Sequence, residues 1–406
     1  MLFPVRHFLN PFTTNGASVK TTRMMTGSFL LLALALAGCG QGGSSSASGG
    51  SDEKSALTSA QTAELQAKID KYKKLPELPP HGEPFDAKKA AGKTIMTIPS
   101  SSALEFCHQV DLELARVASE YGVKAVEYEN QGQPNQWVAG MNAAENSGAN
   151  VVNIACGTDP SVLSPQTAQL KAAGIPVVAA HNYDPTKKEL APNLAGIVNA
   201  QYKTVGELQA DWVILRTKGR ANVLAIDDIG SDIATPELVS GIKQEFAKYC
   251  PQTCKVRHVS VPIPNWSTAI SPVVAAELSR NPDLNYVIGV YDDMVKYILA
   301  PLTSAGATDR VKIATFNASP SVVKMIQEGD VVTFDVGEDS NGLARAIFDQ
   351  DARVLAGLPP SKQSYAALRI FDKSNAMEAG SPPKFTNGYG TAAADGFKKL
   401  WSGTGQ

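Results

Sequence analysis

Sulfur and carboxylate groups account for most of the chemistry this chain's residue types allow. Its five cysteines fall into three settings. Cys39 closes an apolar run, Cys107 stands next to His108 while Cys156 ends a β-branched run, and Cys250 and Cys254 bracket Pro-Gln-Thr. A structural zinc site or a redox thiol pair calls for a Cys-x-x-Cys spacing, and a zinc hydrolase for His-Glu-x-x-His; neither pattern occurs. Cys107, His108 and His181 are a conceivable metal set, but two adjacent ligands and no paired motif make a cross-link the stronger expectation. With Cys39 set apart, an even number of cysteines remains, as suits an oxidising compartment. There is no Gly-x-Ser-x-Gly elbow, and the doublet Asp292-Asp293 does not reveal whether its side chains converge on one substrate. The residues therefore point away from an enzyme and from any bound cofactor.

The run ending at Cys39, SFLLLALALAGC at 28–39, is too short to span a bilayer, which takes about 20 residues, and it follows the basic residues Lys20 and Arg23. Leu36-Ala37-Gly38-Cys39 resembles a bacterial lipobox. The resemblance implies that residues 1–38 are a signal peptide and that Cys39 is lipidated as the mature amino terminus; residues 1–23 are odd for such a signal, and Met24 or Met25 is the alternative start. The following GQGGSSSASGG is a flexible spacer with nothing to bury. The expected location is the extracytoplasmic face of the cell membrane, held by the lipid. No other apolar run approaches membrane length. A net charge of −2 offers no basic field for nucleic acid.

Beyond Cys39 some 370 residues remain, enough for two domains with substantial cores. Residues 55–74 carry Leu65, Ile69 and Tyr72 at helical spacing, and LPELPPHGEP then stops the helix. Residues 39–92 are expected to form a lipidated tether and stalk. From Lys93 onward, β-branched runs alternate with helical periodicity, the pattern of βαβ units and parallel sheets. Strands are expected at 94–99, 125–128, 151–155, 176–179, 222–226, 256–261, 286–290 and 312–316, with helices ending at Gly122, Gly148 and Gly174. The fold class is thus α/β, two doubly wound parallel-sheet lobes: 93–199 plus 336–362, and 200–335 plus 363–406. A ligand site is expected where the carboxyl ends of the strands face one another. Strand order 2-1-3-4-5 would set the first and third strands side by side and bring Cys107 within disulfide range of Cys156. Cys250 with Cys254 is the second expected bridge.

AAGIPVVAAHN (172–182), PNWSTA (264–269), NPDLNYVIGVYDDM (281–294), KIATFNASP (312–320) and IQEGDVVTFD (326–335) occur in that order. Together they resemble the type I periplasmic substrate-binding proteins of sugar ABC importers, close in pattern to ribose- and galactose-binding proteins. The resemblance runs from about Gly92 to about Gly357. It implies a ligand between the lobes, stacked on aromatic rings and hydrogen-bonded by loop side chains. By position it assigns ligand contacts to Phe106, Asp159, His181 and Asn182 in the first lobe. In the second it assigns Asp232, Trp266, Asp292 and Asn317, with a hinge near Asn199 and Asp335. It also implies an ABC permease as partner and a monomeric binding protein.

Two departures narrow the ligand. No Arg precedes Gly241 where pentose binders place one, and His181-Asn182 replaces the usual acidic-basic pair. The candidate residues hold carboxylates but no cation, so an anionic ligand would lie buried without a partner. A neutral hydroxylated molecule, a sugar or polyol, is the expectation. A non-sugar aromatic solute, or a sensing role beside a membrane receptor, is the alternative. An export signal without a helix-turn-helix excludes the transcriptional regulators of this fold.

Overall fold

The computed structural model describes residues 55–79, 81–229 and 233–403. Cys39, the tether before residue 55 and Asp232 lie outside the described residues. The first element, α1 (Ser59–Lys73), starts with a capping box in which Thr58 and Gln61 exchange side-chain-to-backbone bonds.

The first lobe is built on β1 (Thr94–Pro99), β2 (Lys124–Glu127), β3 (Val151–Ala155), β4 (Val177–Tyr183) and β5 (Leu194–Asn199). Their order is β2-β1-β3-β4-β5, all parallel. The intervening helices are α2 (Glu105–Glu120), α3 (Pro134–Ser147) and α4 (Ser164–Ala172). Gly122, Gly148 and Gly174 end them with φ of 74°, 75° and 76°, which a side chain would oppose. The second lobe starts with α5 (Tyr202–Arg216), β6 (Asn222–Asp227), α6 (Thr235–Tyr249), β7 (Lys255–Ser260), α7 (Trp266–Arg280) and β8 (Tyr286–Gly289). It continues through α8 (Val295–Ser304), β9 (Lys312–Phe316), α9 (Pro320–Glu328) and β10 (Val332–Glu338). After α10 (Ser340–Leu355) the chain returns as β11 (Leu368–Phe371), and α11 (Ala392–Leu400) closes the described fold. The second sheet runs β7-β6-β8-β9-β10-β11, with only the β10–β11 pair antiparallel. Helices α5 and α6 approach so closely that a Cβ on Gly206 would lie 2.0 Å from the Leu238 carbonyl oxygen, and one on Gly241 2.3 Å from that of Lys203.

β5 and β10 give bounds to the strands expected near Asn199 and Asp335, and β11 adds to those expected. The segment expected as a stalk has its helix and its proline-rich run, but the described part does not stand free. Leu65 and Ile69 are buried in the second-lobe core. Farther on, Leu78 packs beside Gly396 of α11, and Phe85 is buried in the first-lobe core beneath the Arg353 guanidinium. Periodicity did not reveal this, because the helix offers only two buried apolar residues and its fixing contacts are tertiary. The carboxyl-terminal stretch expected in the second lobe is likewise shared. β11 joins the second sheet, but Phe397 and Trp401 are buried in the first-lobe core, with Trp401 donating to Asp349 of α10 at 2.9 Å.

Candidate functional site

Both sheets aim their carboxyl ends at one small cavity between the lobes. Leu104, Phe106, Cys107, Cys156 and His181 line it from the first lobe; Tyr202, Ile263, Trp266, Tyr291, Asp293 and Asn317 line it from the second. Three of these residues sit in backbone conformations unusual for a side-chain-bearing residue: Cys156 at φ 56°, His181 at 65° and Asn317 at 122°. Each lies at or just beyond the carboxyl end of a strand. Their strain must be offset by the surrounding fold, as is common where a ligand is held.

Six ring contacts link the two lobes in an arc. Phe385 meets Phe106 at 6.1 Å, Phe106 meets His181 at 5.7 Å, and His181 meets Tyr202 at 5.2 Å. Tyr202 meets Phe316 at 6.4 Å, Phe316 meets Tyr291 at 6.0 Å, and Tyr291 meets Trp266 at 6.4 Å. Phe106 and Trp266 stand on opposite lobes of the same cavity, as the resemblance implied. The Cys107–Cys156 disulfide, spanning a Cα separation of 6.2 Å, places two sulfurs in the wall. Cys250 and Cys254 form the second bond, away from the cavity. Among the described residues no cluster of His, Cys, Asp or Glu could hold a metal ion, and His108 instead bonds Glu127 at 2.8 Å.

The polar groups of the cavity are few and largely engaged. His181 Nε2 lies 2.6 Å from Glu338 and its Nδ1 3.0 Å from the Tyr202 hydroxyl. The Trp266 indole N–H donates to the Val261 carbonyl at 2.8 Å, so only its ring serves the cavity. Asp293 reaches across the cleft and accepts a long 3.4 Å bond from the Glu105 N–H, at the first turn of α2. Leu104, the N-cap of that helix, has no side chain able to cap it. Burial pushes the Asp293 carboxyl up to about 6, opposed by that N–H and by nearby Lys296. A second contact closes the lobes, from the Ile233 N–H to the Gly157 carbonyl at 3.0 Å.

Phe106, His181, Trp266 and Asn317 thus line one cavity. Asp159 does not line the cavity; it caps the turn at Pro160–Leu163 through the Ser161 N–H at 2.8 Å. Asn182 turns its amide to the Thr158 carbonyl at 2.6 Å. Asp292 is buried behind the cavity, accepting from the Ser319 N–H at 2.6 Å, and it feels the neighbouring Asp335 carboxyl. Asp335 in turn accepts from the Ala318 N–H at 3.1 Å. Burial and the neighbouring Asp335 push Asp292 well above the usual carboxylate range, and burial raises Asp335 to about 7. By taking the Ser319 and Ala318 N–H groups, the two carboxyls fix the strained turn that presents Asn317. Expectation missed Tyr202, Ile263, Tyr291, Leu104 and Asp293; of these, only Asp293 carried a signal, as the partner of Asp292 in the doublet.

Among the described residues no Lys or Arg lines the cavity. A buried hydroxyl left without a partner costs about 1–3 kcal/mol, so each hydroxyl beyond those Asp293 and Asn317 can serve weakens a ligand about 5- to 150-fold.

A family model described as a periplasmic binding protein domain matches residues 95–359. No curated protein matches the chain. Among solved structures, an Agrobacterium vitis ABC transporter solute-binding protein bound with α-D-tagatopyranose superposes with a TM-score of 0.64 at 19% identity, covering 70% of this chain and 96% of that one. A Bacillus halodurans solute-binding protein with myo-inositol gives 0.62 at 16% identity, covering 72% and 99%. One from Mycobacterium smegmatis with glycerol gives 0.61 at 20% identity, covering 70% and 95%. At these identities the likeness is one of fold.

Proposed function

The chain belongs to the periplasmic binding protein domain family, and from that premise we propose that it captures a small neutral hydroxylated molecule between its lobes and delivers it to an ABC permease. The family is one of extracytoplasmic binding proteins, not of enzymes. The observation that carries the reading is the cavity lined from both lobes, with Phe106 on one and Trp266 on the other. Each lobe supplies half of the contacts, so a ligand has greater affinity for the closed form and draws the population toward it. Sugars and polyols, the molecules held in the similar solved structures, are the class to screen first.

Anchoring through Cys39 belongs to the same proposal. No described helix is long and apolar enough to cross a membrane, and the run 28–39 followed by a Gly/Ser spacer supports a lipid in that role. Mass spectrometry of the mature chain should find a diacylated Cys39 at its amino terminus; a terminus elsewhere rejects the anchor.

Calorimetry decides the cleft. Replacing Trp266 with Ala removes a stacking surface worth about 0.5–1.5 kcal/mol beyond the lost area, and affinity for whichever solute binds should fall roughly tenfold or more. Unchanged affinity in Trp266→Ala would put the site elsewhere.

A further inference from the structure

We infer that the solute is a compact ring-bearing alcohol, with one or two hydroxyls at the edge of an aromatic or carbocyclic ring, rather than a polyhydroxylated sugar. The inference rests on the interlobe-capture reading and sharpens it. Phe106, Tyr202, Trp266 and Tyr291 present ring surface to the cavity, Leu104 and Ile263 add aliphatic surface, and the Cys107–Cys156 sulfurs contribute a polarisable wall. Such a lining pairs with C–H and π surface and gives nothing to the hydroxyls that ring a hexose on every side.

What polarity remains is concentrated. Asp293 offers a carboxylate, Asn317 an amide, and the His181 ring is already held between Glu338 and Tyr202. Acceptor and donor from one lobe match the donor and acceptor of a hydroxyl group. The charge of Asp293 does not call for a cationic ligand, because the carboxylate faces the amino-terminal end of α2 and takes the Glu105 N–H, where the helix dipole favours an anion. It does oppose an anionic ligand, and among the described residues no Lys or Arg lines the cavity to accept one. The contacts between the lobes, at Gly157–Ile233 and Glu105–Asp293, also leave little depth for a bulky solute.

The test is calorimetry on the full-length chain in detergent. One panel holds benzyl alcohol, catechol and cyclohexanol, and a second holds glucose, ribose and myo-inositol. Benzylamine and benzoate serve as the charged probes. The prediction is that at least one ring alcohol binds roughly tenfold or more tightly than every sugar and both charged probes, about 1.4 kcal/mol at least. Trp266→Ala should abolish that preference. Asp293→Asn, which keeps the size of the side chain, should weaken benzyl alcohol on the order of fivefold and leave toluene unchanged. Because Asp293→Asn removes no packing, its result stands even if the Trp266 variant fails to fold. Sugar binding that Trp266→Ala removes would overturn the inference while leaving interlobe capture intact. Tighter binding of benzylamine or benzoate, or no binding by any ring alcohol, overturns it as well; silence of both panels and both charged probes would count against capture itself.

Discussion

Charge is handled differently where α1 seats on the second lobe and where the two lobes meet at the cleft. Lys68 of α1 lies 2.8 Å from Asp211, 3.2 Å from Glu207 and 3.9 Å from Glu245. Burial works against its charge, but the surrounding carboxylates outweigh burial and raise its pKa. The cleft holds no such network. Among the described residues one partly exposed ion pair, Lys187 with Glu237 at 3.5 Å, bridges the lobes; otherwise they meet through single hydrogen bonds, including Tyr202 to His181, Ile233 to Gly157 and Glu105 to Asp293, and through apolar surface. A contact that never opens can keep a buried ion pair, since breaking it is what costs. A contact that must open for each ligand cannot, because water or solute has to replace every partner at little net cost.

The sharpest way to break that comparison is Lys68→Met. It leaves Asp211, whose side chain is fully buried and whose carboxyl burial already pushes up to about 8, without its cation, so that it takes up a proton, and stability should fall by about 1–3 kcal/mol in urea melts. The double variant Lys68→Met with Asp211→Leu should recover most of the loss, because a packed apolar pair replaces the buried charges. If the single variant costs no more than an exposed pair, α1 is not the fixed element described here.

A smaller effect belongs to the Asp292–Asp335 pair. Both carboxyls bind a proton more tightly folded than unfolded, so their contribution is fully present below the ordinary aspartate value. It is lost as pH rises through about 7, the folded value of Asp335. The melting temperature should therefore fall between pH 5 and pH 8, and Asp335→Asn, which cannot titrate, should flatten that slope. An unchanged slope in the variant would remove Asp335 as the titrating group.

The parallel architecture was legible because alternating β-branched runs and helical stripes survive in β1 to β4 and β6 to β9. β10 was not read from periodicity, since Asp335 and Glu338 interrupt its apolar pattern, and what lets a buried strand carry them is their tertiary partners, the Ala318 N–H and His181, which no linear pattern displays. Strand order alone sufficed for Cys107 and Cys156, which are bonded. Asp292 and Asp293 mark the limit of such reading. They share a short turn, Asp292–Met294, with three residues per revolution. Neighbouring side chains therefore diverge by roughly 120°, one toward the buried Ser319 N–H and the other toward the cleft. Nothing in a doublet says which is which. Tyr202 and Tyr291 escaped for a related reason: rings at helix starts and strand ends read as core until the opposite lobe is in place.

Small-angle scattering of the full-length chain in detergent, with and without saturating ligand from whichever panel binds, tests the central claim most directly. The account predicts that ligand shifts the profile to a smaller radius of gyration and that Trp266→Ala abolishes the shift at the same concentration. A profile unchanged by a ligand that calorimetry shows to be bound would contradict capture between closing lobes.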